Sequence, residues 1–363
     1  MSLINSNKIK LDNPKTYQTF DPSKMEQRIQ NLPNQCIKAW DNSMALVLPR
    51  AYKKINNIVV VGMGGSAIGG SLVSDIASLE NGLPILTARE YTVPRWVNKK
   101  TLVIVSSHSG NTEETVSAFY SAINAKAKII VMTAGGTLKK VASDNNVPIL
   151  YLPDNTEPRS SIGYSFIGLL GLLCSLGHLS VNQSDLKIAV TKMQEHISHL
   201  GSTIPYNQNK AKTLAVDLYQ RMLIIYGAGI LNGVARRWKT QVNENAKTWA
   251  VFEKLPEATH NSIEGYSFPS NINNKVSIIL IKSSFIDPRI LRKYDLLKEQ
   301  LGNQGIHHIE IEAEGDNAIS HMLSMILLGD YISYYLGLLN SINPSPTQVL
   351  QAMKDQLNKE KSE

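Results

Sequence analysis

The chain has 363 residues, 43% hydrophobic and 18% charged, with 37 Lys+Arg against 30 Asp+Glu. That length predicts about two domains, and the composition excludes a disordered or fibrous chain. A formal charge of +7 without any basic run excludes a nucleic-acid footprint but leaves room for anionic small ligands.

Residues 1–22 are polar and lack the apolar stretch of a signal peptide, and 5–21 read as an irregular lead-in. Helix is expected over 22–46, broken near Pro33. Residues 57–61 (NIVVV) form a buried strand, 62–70 (GMGGSAIGG) the turn after it, and 71–78 a helix. Strands follow at 83–87, 101–105, 129–132 and, as an edge, 149–152, with a helix or loop at 91–98. The apolar helix 162–176 is too short to span a bilayer and reads as core or subunit interface. A polar helix with an apolar stripe, 184–200, bridges to a second round of the same pattern. Its strands are 221–226 (RMLIIY), 276–281 and 306–311, and its helices 230–247, 288–301 and a long apolar 318–339. A last helix covers 347–357. Alternating strands and helices predict an α/β chain of two doubly wound parallel sheets, duplicated at the level of fold. Cys36 and Cys174 have no metal-ligand spacing and read as reduced, cytoplasmic thiols.

The chemistry centres on residues 101–115, TLVIVSSHSGNTEET. An apolar strand runs into a hydroxyl- and glycine-rich turn, and Glu113 and Glu114 then open a helix. Such a turn cradles an anion, because the first helix amides lack internal partners and Ser and Thr hydroxyls add donors. An ordinary N-capped turn is the alternative, but Ser107, Ser109 and Thr112 converge on one bend at Gly110. This segment resembles the phosphosugar-binding loop of the sugar isomerase (SIS) domain family.

The turn at Gly62 admits a rival reading. Gly62-x-Gly64-x-x-Ala67 after a strand fits a dinucleotide fingerprint, with Glu90 placed for a ribose. Gly64, Gly65 and Ser66 instead put bare amides and a hydroxyl beside the Ser107–Thr112 loop, which suits one sugar phosphate better. Gly227-x-Gly229 has no such hydroxyl cluster and reads as packing. A proton-transfer group is also needed. Glu244 lies among amides in QVNENAK, with a surface carboxylate as the alternative, and His260 sits in the polar loop PEATHNSIEG. His308 and Glu310 would share a strand face and read as surface, so no metal cluster is apparent.

GMGGSAIGG, SHSGNTEET, PRSSIG, NENAK, PEATHNSIEG and PSPTQVLQAMK, in this order, resemble the bifunctional phosphoglucose/phosphomannose isomerase family from about residue 25 onward. The resemblance implies two flavodoxin-like, three-layer SIS domains at 41–183 and 211–342. A helical lead-in at 1–40, a linker helix at 184–210 and a C-terminal helix at 343–363 complete the chain. It further implies a homodimer with its active site at the interface. Gly64, Gly65, Ser66, Ser107, Ser109 and Thr112 would bind substrate, chiefly its phosphate. Arg159 would stabilise an enediolate, Glu244 would move the proton between C1 and C2, His260 from a second subunit would open the ring, and Lys354 would assist at the ring oxygen. The family's usual serine in NENSK is Ala246 here, and its PELNHN-like loop reads PEATHN.

These residue types fit the implied interconversion of glucose, mannose and fructose 6-phosphates. One carboxylate can take and return a proton on one face of a cis-enediol, an imidazole suits ring opening, and a fixed cation suits enediolate charge. The reaction calls for no metal or cofactor, and no nucleic acid or membrane partner is expected. Mannose chemistry needs extra room, for which Thr347 is the candidate. The alternatives are a glucosamine-6-phosphate synthase-like isomerase and a non-catalytic sugar-phosphate sensor.

Overall fold

The computed structural model describes residues 3–80, 82–154 and 157–360. Four helices open it: α1 (Leu3–Asp12), α2 (Pro14–Phe20), α3 (Met25–Gln30) and α4 (Leu32–Ala45). The lead-in expected to be irregular is therefore helical. Its start signals are local, with the Asn13 side chain accepting from the Lys15 N–H at 3.0 Å and Pro14 in the first turn of α2. Its reason for staying folded is tertiary, since Lys10 Nζ donates to the Leu339 carbonyl at 2.8 Å and Asp12 pairs with the buried Lys212 at 3.0 Å. The break before Pro33 falls at Asn31, as expected.

The first sheet contains β1 (Asn57–Val61), β2 (Ile85–Ala88), β3 (Thr101–Ser106), β4 (Lys128–Thr133) and β5 (Ile149–Tyr151). All are parallel, in the order β2-β1-β3-β4-β5. Between them run α5 (Gly64–Ala77), α6 (Glu113–Asn124) and α7 (Gly136–Asp144). Strand side chains alternate, so Val59, Val61, Val103 and Val105 pack with Phe119 of α6 and Leu138 of α7, while Val60, Ile104 and Met132 face the main core. The helix expected from residue 71 begins at Gly64. Its glycines argue against helix locally, but packing requires them: a Cβ on Gly69 would lie 2.2 Å from the Ser165 carbonyl oxygen.

A π-helical turn (Gly163–Ile167) leads into the buried α8 (Gly168–Ser175), then α9 (Gln183–Leu200) and α10 (Lys210–Leu218). The second sheet comprises β6 (Met222–Gly227), β7 (Ala250–Lys254), β8 (Val276–Lys282) and β9 (His308–Glu312), also all parallel, in the order β7-β6-β8-β9. Its helices are α11 (Asn232–Ala246), α12 (Pro288–Asn303) and α13 (Ala318–Leu339), and α14 (Gln348–Glu360) ends the described chain. The chain is thus two doubly wound α/β domains. Strand β7 is absent from the sequence reading because it is a half-exposed edge of mixed polarity with no apolar run. Helix α13 is long and apolar enough to cross a bilayer by length and composition, but it is buried from Ile319 to Leu339. Being apolar all round, it serves as the core rod against which α9, α10 and α11 pack.

Helices α5 and α11 join the two domains. Asp75, in the last turn of α5, accepts from the Gly233 N–H at 2.6 Å, so a carboxylate of the first domain caps the first turn of α11. Burial pushes the Asp75 carboxyl up to about 7, against the opposing pull of that N–H and of Lys254 and Arg236. Between the ordinary carboxylate value of 3.8 and about 7, the folded state binds the proton more tightly than the unfolded chain. Stability should therefore fall as pH rises through that window. Asp75→Asn should flatten this part of the profile in urea unfolding; an unchanged slope would contradict the assignment.

Candidate active site

Strands β1 and β3 are neighbours whose following connections diverge, which opens a crevice at their carboxyl ends. After β1 the chain enters α5 through Gly64, Gly65 and Ser66, and after β3 it runs through Ser107–Thr112 into α6. The two turns are tied together, the Ser66 hydroxyl oxygen accepting from the His108 N–H at 3.2 Å. Ser107 Oγ donates to Thr112 Oγ1 at 3.0 Å and accepts from the Gly110 N–H at 3.2 Å; Ser109 Oγ accepts from the Asn111 N–H at 3.3 Å. Ser107 is buried, Thr112 half-buried and Ser109 exposed, so the hydroxyls grade from floor to rim. Two helix N-termini and these hydroxyls suit a dianionic phosphate. His108 lies in the floor, where burial holds its imidazole below the usual value against the Pro153 backbone and Asp154.

Against this cradle lies the turn Pro158–Ser160, which carries Arg159. A Cβ on Gly65 would come within 3.0 Å of the Pro158 carbonyl, so glycine is what lets the turn rest on the cradle. The Arg159 guanidinium is buried. Its Nε donates to Asn245 Oδ1 at 3.0 Å, and Nη2 donates to the carbonyls of Pro344 (3.1 Å) and Ser345. Its Nη1 stands 3.7 Å from Glu244 Oε2, and Nη2 3.0 Å from Glu157 Oε2. Burial draws the guanidinium below its ordinary value, while Glu157 and then Glu244 hold it charged. A phosphate cradle, a fixed cation and a carboxylate thus adjoin, with the carboxylate contributed by the second domain.

Glu244 is placed by a frame that the sequence reading missed. Arg237, Gln241 and Asn245 recur every four residues on one face of α11. Arg237 Nη2 donates to Asp330 of α13 at 2.7 and 2.9 Å and to the Arg159 carbonyl at 3.0 Å. Gln241 donates to Asp330 at 3.0 Å, and Asn245 to Ser333 Oγ at 3.0 Å. Burial raises the Asp330 carboxyl and Arg237 opposes it. Asp330→Ala would leave Arg237 buried without its partner. We expect a loss of about 3–5 kcal/mol in chemical denaturation, the usual cost of breaking a buried pair from one side; a loss below about 1 kcal/mol would rule out this role.

Two predicted residues stand apart from this cluster. His260 is exposed in the turn Glu257–His260, beyond the carboxyl end of β7, whereas Glu244 precedes that strand's start. Strand β7, five residues and about 17 Å long, lies between them in the chain. Lys354 lies on exposed α14, and neither its side chain nor that of His260 makes a hydrogen bond or ion pair among the described residues. Glu244 opens into a groove of about 1000 Å³, whose walls include Lys247, Trp249, Asn343 and Thr347.

The second domain repeats the winding but not the cradle. Ser283 Oγ, after β8, is pinned to His321 Nδ1 at 2.9 Å, and buried Ile286 packs beside Gly229 where a ligand would enter. Packing is thus the role of Gly227-x-Gly229. His308 bonds the Ile306 carbonyl and Glu310 pairs with Lys282 at 3.3 Å, as suits a strand surface. Glu90, the ribose candidate of the rival reading, is exposed beyond β2.

Residues 207–357 match the family profile described as bacterial phospho-glucose isomerase C-terminal SIS domain. A bifunctional phosphoglucose/phosphomannose isomerase of Caldicellulosiruptor bescii is 34% identical over 334 residues, 92% of this chain and 98% of that protein. A D-glucosamine-6-phosphate 4-epimerase of Sulfolobus acidocaldarius is 34% identical over 249 residues, 68% of this chain and 75% of that protein. A solved structure of a hypothetical protein from Thermus thermophilus shares the fold, with a TM-score of 0.72 at 16% identity over 99% of this chain and 95% of that one. The near full-length likeness to the first of these, together with the tandem sheets, makes this chain a member of the bifunctional phosphoglucose/phosphomannose isomerase family.

Proposed function

We propose that this chain interconverts glucose 6-phosphate, mannose 6-phosphate and fructose 6-phosphate through a cis-enediol. The observation that carries this reading is a carboxylate, Glu244, held 3.7 Å from a buried cation, Arg159, at the edge of a hydroxyl-lined anion cradle. The cradle residues Gly64, Gly65, Ser66, Ser107, Ser109 and Thr112 hold the phosphate. Glu244 removes the proton from C2 of the open aldose and returns it to C1 on the same face of the planar intermediate. Arg159 opposes the charge that builds on the enediolate oxygen, and because it is already fixed in place, no reorganisation is needed as that charge develops.

Ring opening needs a second acid–base group, and within one chain the exposed His260 follows the carboxyl end of β7 while Glu244 precedes its start. We assign this step to the partner subunit's His260 in a homodimer, with Lys354 at the ring oxygen. Thr347, on the groove wall with Glu244, leaves room for the C2–C3 rotation that mannose chemistry requires. We assign the protein a cytoplasmic role in sugar-phosphate metabolism.

The direct test is purified protein with fructose 6-phosphate, scoring both aldose products with and without chelator, and glucosamine 6-phosphate as a separate substrate. Formation of both aldoses, insensitive to chelator, is expected; turnover of glucosamine 6-phosphate alone would overturn the reading. Glu244→Gln should lower kcat by about 10²–10⁴-fold and still bind fructose 6-phosphate. The shared site makes a separate prediction. Inactive Glu244→Gln and His260→Ala proteins, mixed and allowed to exchange subunits, should regain activity, because each mixed dimer has one site with both groups intact. No recovery despite proven exchange would mean that Glu244 and His260 of one site come from the same chain, and would overturn the shared site.

A further inference from the structure

Arg159 has a second carboxylate partner, nearer than the base itself. Glu157 Oε2 stands 3.0 Å from Nη2, against 3.7 Å between Nη1 and Glu244. On its other side Glu157 Oε1 lies 3.5 Å from Arg28 Nη2, and that nitrogen also donates to Ser345 Oγ at 2.5 Å. Charges therefore alternate from helix α3 to the base: Arg28, Glu157, Arg159, Glu244. Lys247 is the further cation near Glu244 and Glu157, and the Arg237–Asp330 pair lies behind Arg159.

Glu157 Oε2 is buried and accepts no hydrogen bond among the described residues, although it touches a guanidinium nitrogen. The hydrogen bonds of that nitrogen go to the carbonyls of Pro344 and Ser345. The contact is thus one of charge, and its effect is on the field at Arg159. A guanidinium paired to Glu244 alone would hold the base as a tight ion pair and weaken its pull on a carbon-bound proton.

We propose that Glu157 is a positioning residue for the isomerase reaction, dividing Arg159 between two carboxylates so that Nη1 is left for Glu244 and the enediolate. This rests on the isomerase reading above. Glu157 also exceeds Glu244 among the charges that keep Arg159 protonated.

Glu157→Gln retains the shape and removes the charge. The expected result is a kcat lower by about tenfold with little change in KM, and an acidic limb of kcat/KM displaced to lower pH, because one negative charge fewer faces the site. Arg28→Gln is the second variant. It removes the cation behind Glu157, so the limb should move the opposite way, to higher pH. A folded Glu157→Gln protein with wild-type kcat and pH profile overturns the proposal. So does a change confined to the melting temperature, or displacement of the limb in the same direction in both variants. If Glu157→Gln does not fold, the direction of the Arg28→Gln limb decides alone. Absence of isomerase activity in the unsubstituted protein would instead defeat the parent reading, so the two failures are distinguishable.

Discussion

The structure depends on the burial of one guanidinium. A cation taken out of water is tolerable only where charges and hydrogen-bond acceptors surround it. Arg159 draws those acceptors from parts of the chain that are distant in sequence: Asn245 and Glu244 on α11, and the carbonyls of Pro344 and Ser345 before α14. Satisfying it brings the second domain and the C-terminal segment against the cradle of the first. The groups that solvate the cation and the groups that use it are therefore partly the same. Glu244 is held near Arg159 by the same charge to which the proposed reaction assigns its intermediate.

The antiparallel meeting of α5 and α11 carries this over the rest of the molecule. The start of α5 offers its free amides to the cradle, and near its end Asp75 caps the start of α11. The end of α11 then presents Glu244 and Asn245 to Arg159. Each helix terminus that lacks internal partners is thereby directed at a ligand site or at the other domain. The buried rod α13 fixes the rotation of α11 through Asp330 and Ser333. Two sheets of the same winding have diverged in use: one keeps its switch-point crevice open, while the other fills it with Ile286 and a Ser283–His321 bond.

The sequence carried the parts of the fold and site that rest on local pattern. Parallel strands announced themselves as β-branched runs, the cradle as hydroxyls around Gly110, and α13 as 22 residues without a polar face. What it concealed was held by distant contacts. Helices α1 and α2 have weak apolar periodicity and are secured by Lys10 and Asp12 reaching residues more than 190 positions away. The edge strand β7 has no apolar run because one side of it is not covered by another strand. Glu157, beside a motif arginine, carried no signal of its own.

By itself the sequence determined the winding of both domains, the hydroxyl-lined turn and the carboxylate proposed as the base, because backbone preference and side-chain periodicity act over a few residues at a time. Tertiary structure alone decided which carboxylates share Arg159, that the second domain's crevice is filled, and that His260 and Glu244 lie at opposite ends of one strand. Those outcomes turn on contacts between groups far apart in the chain. Charge and hydrogen bonding set them only after the chain has packed.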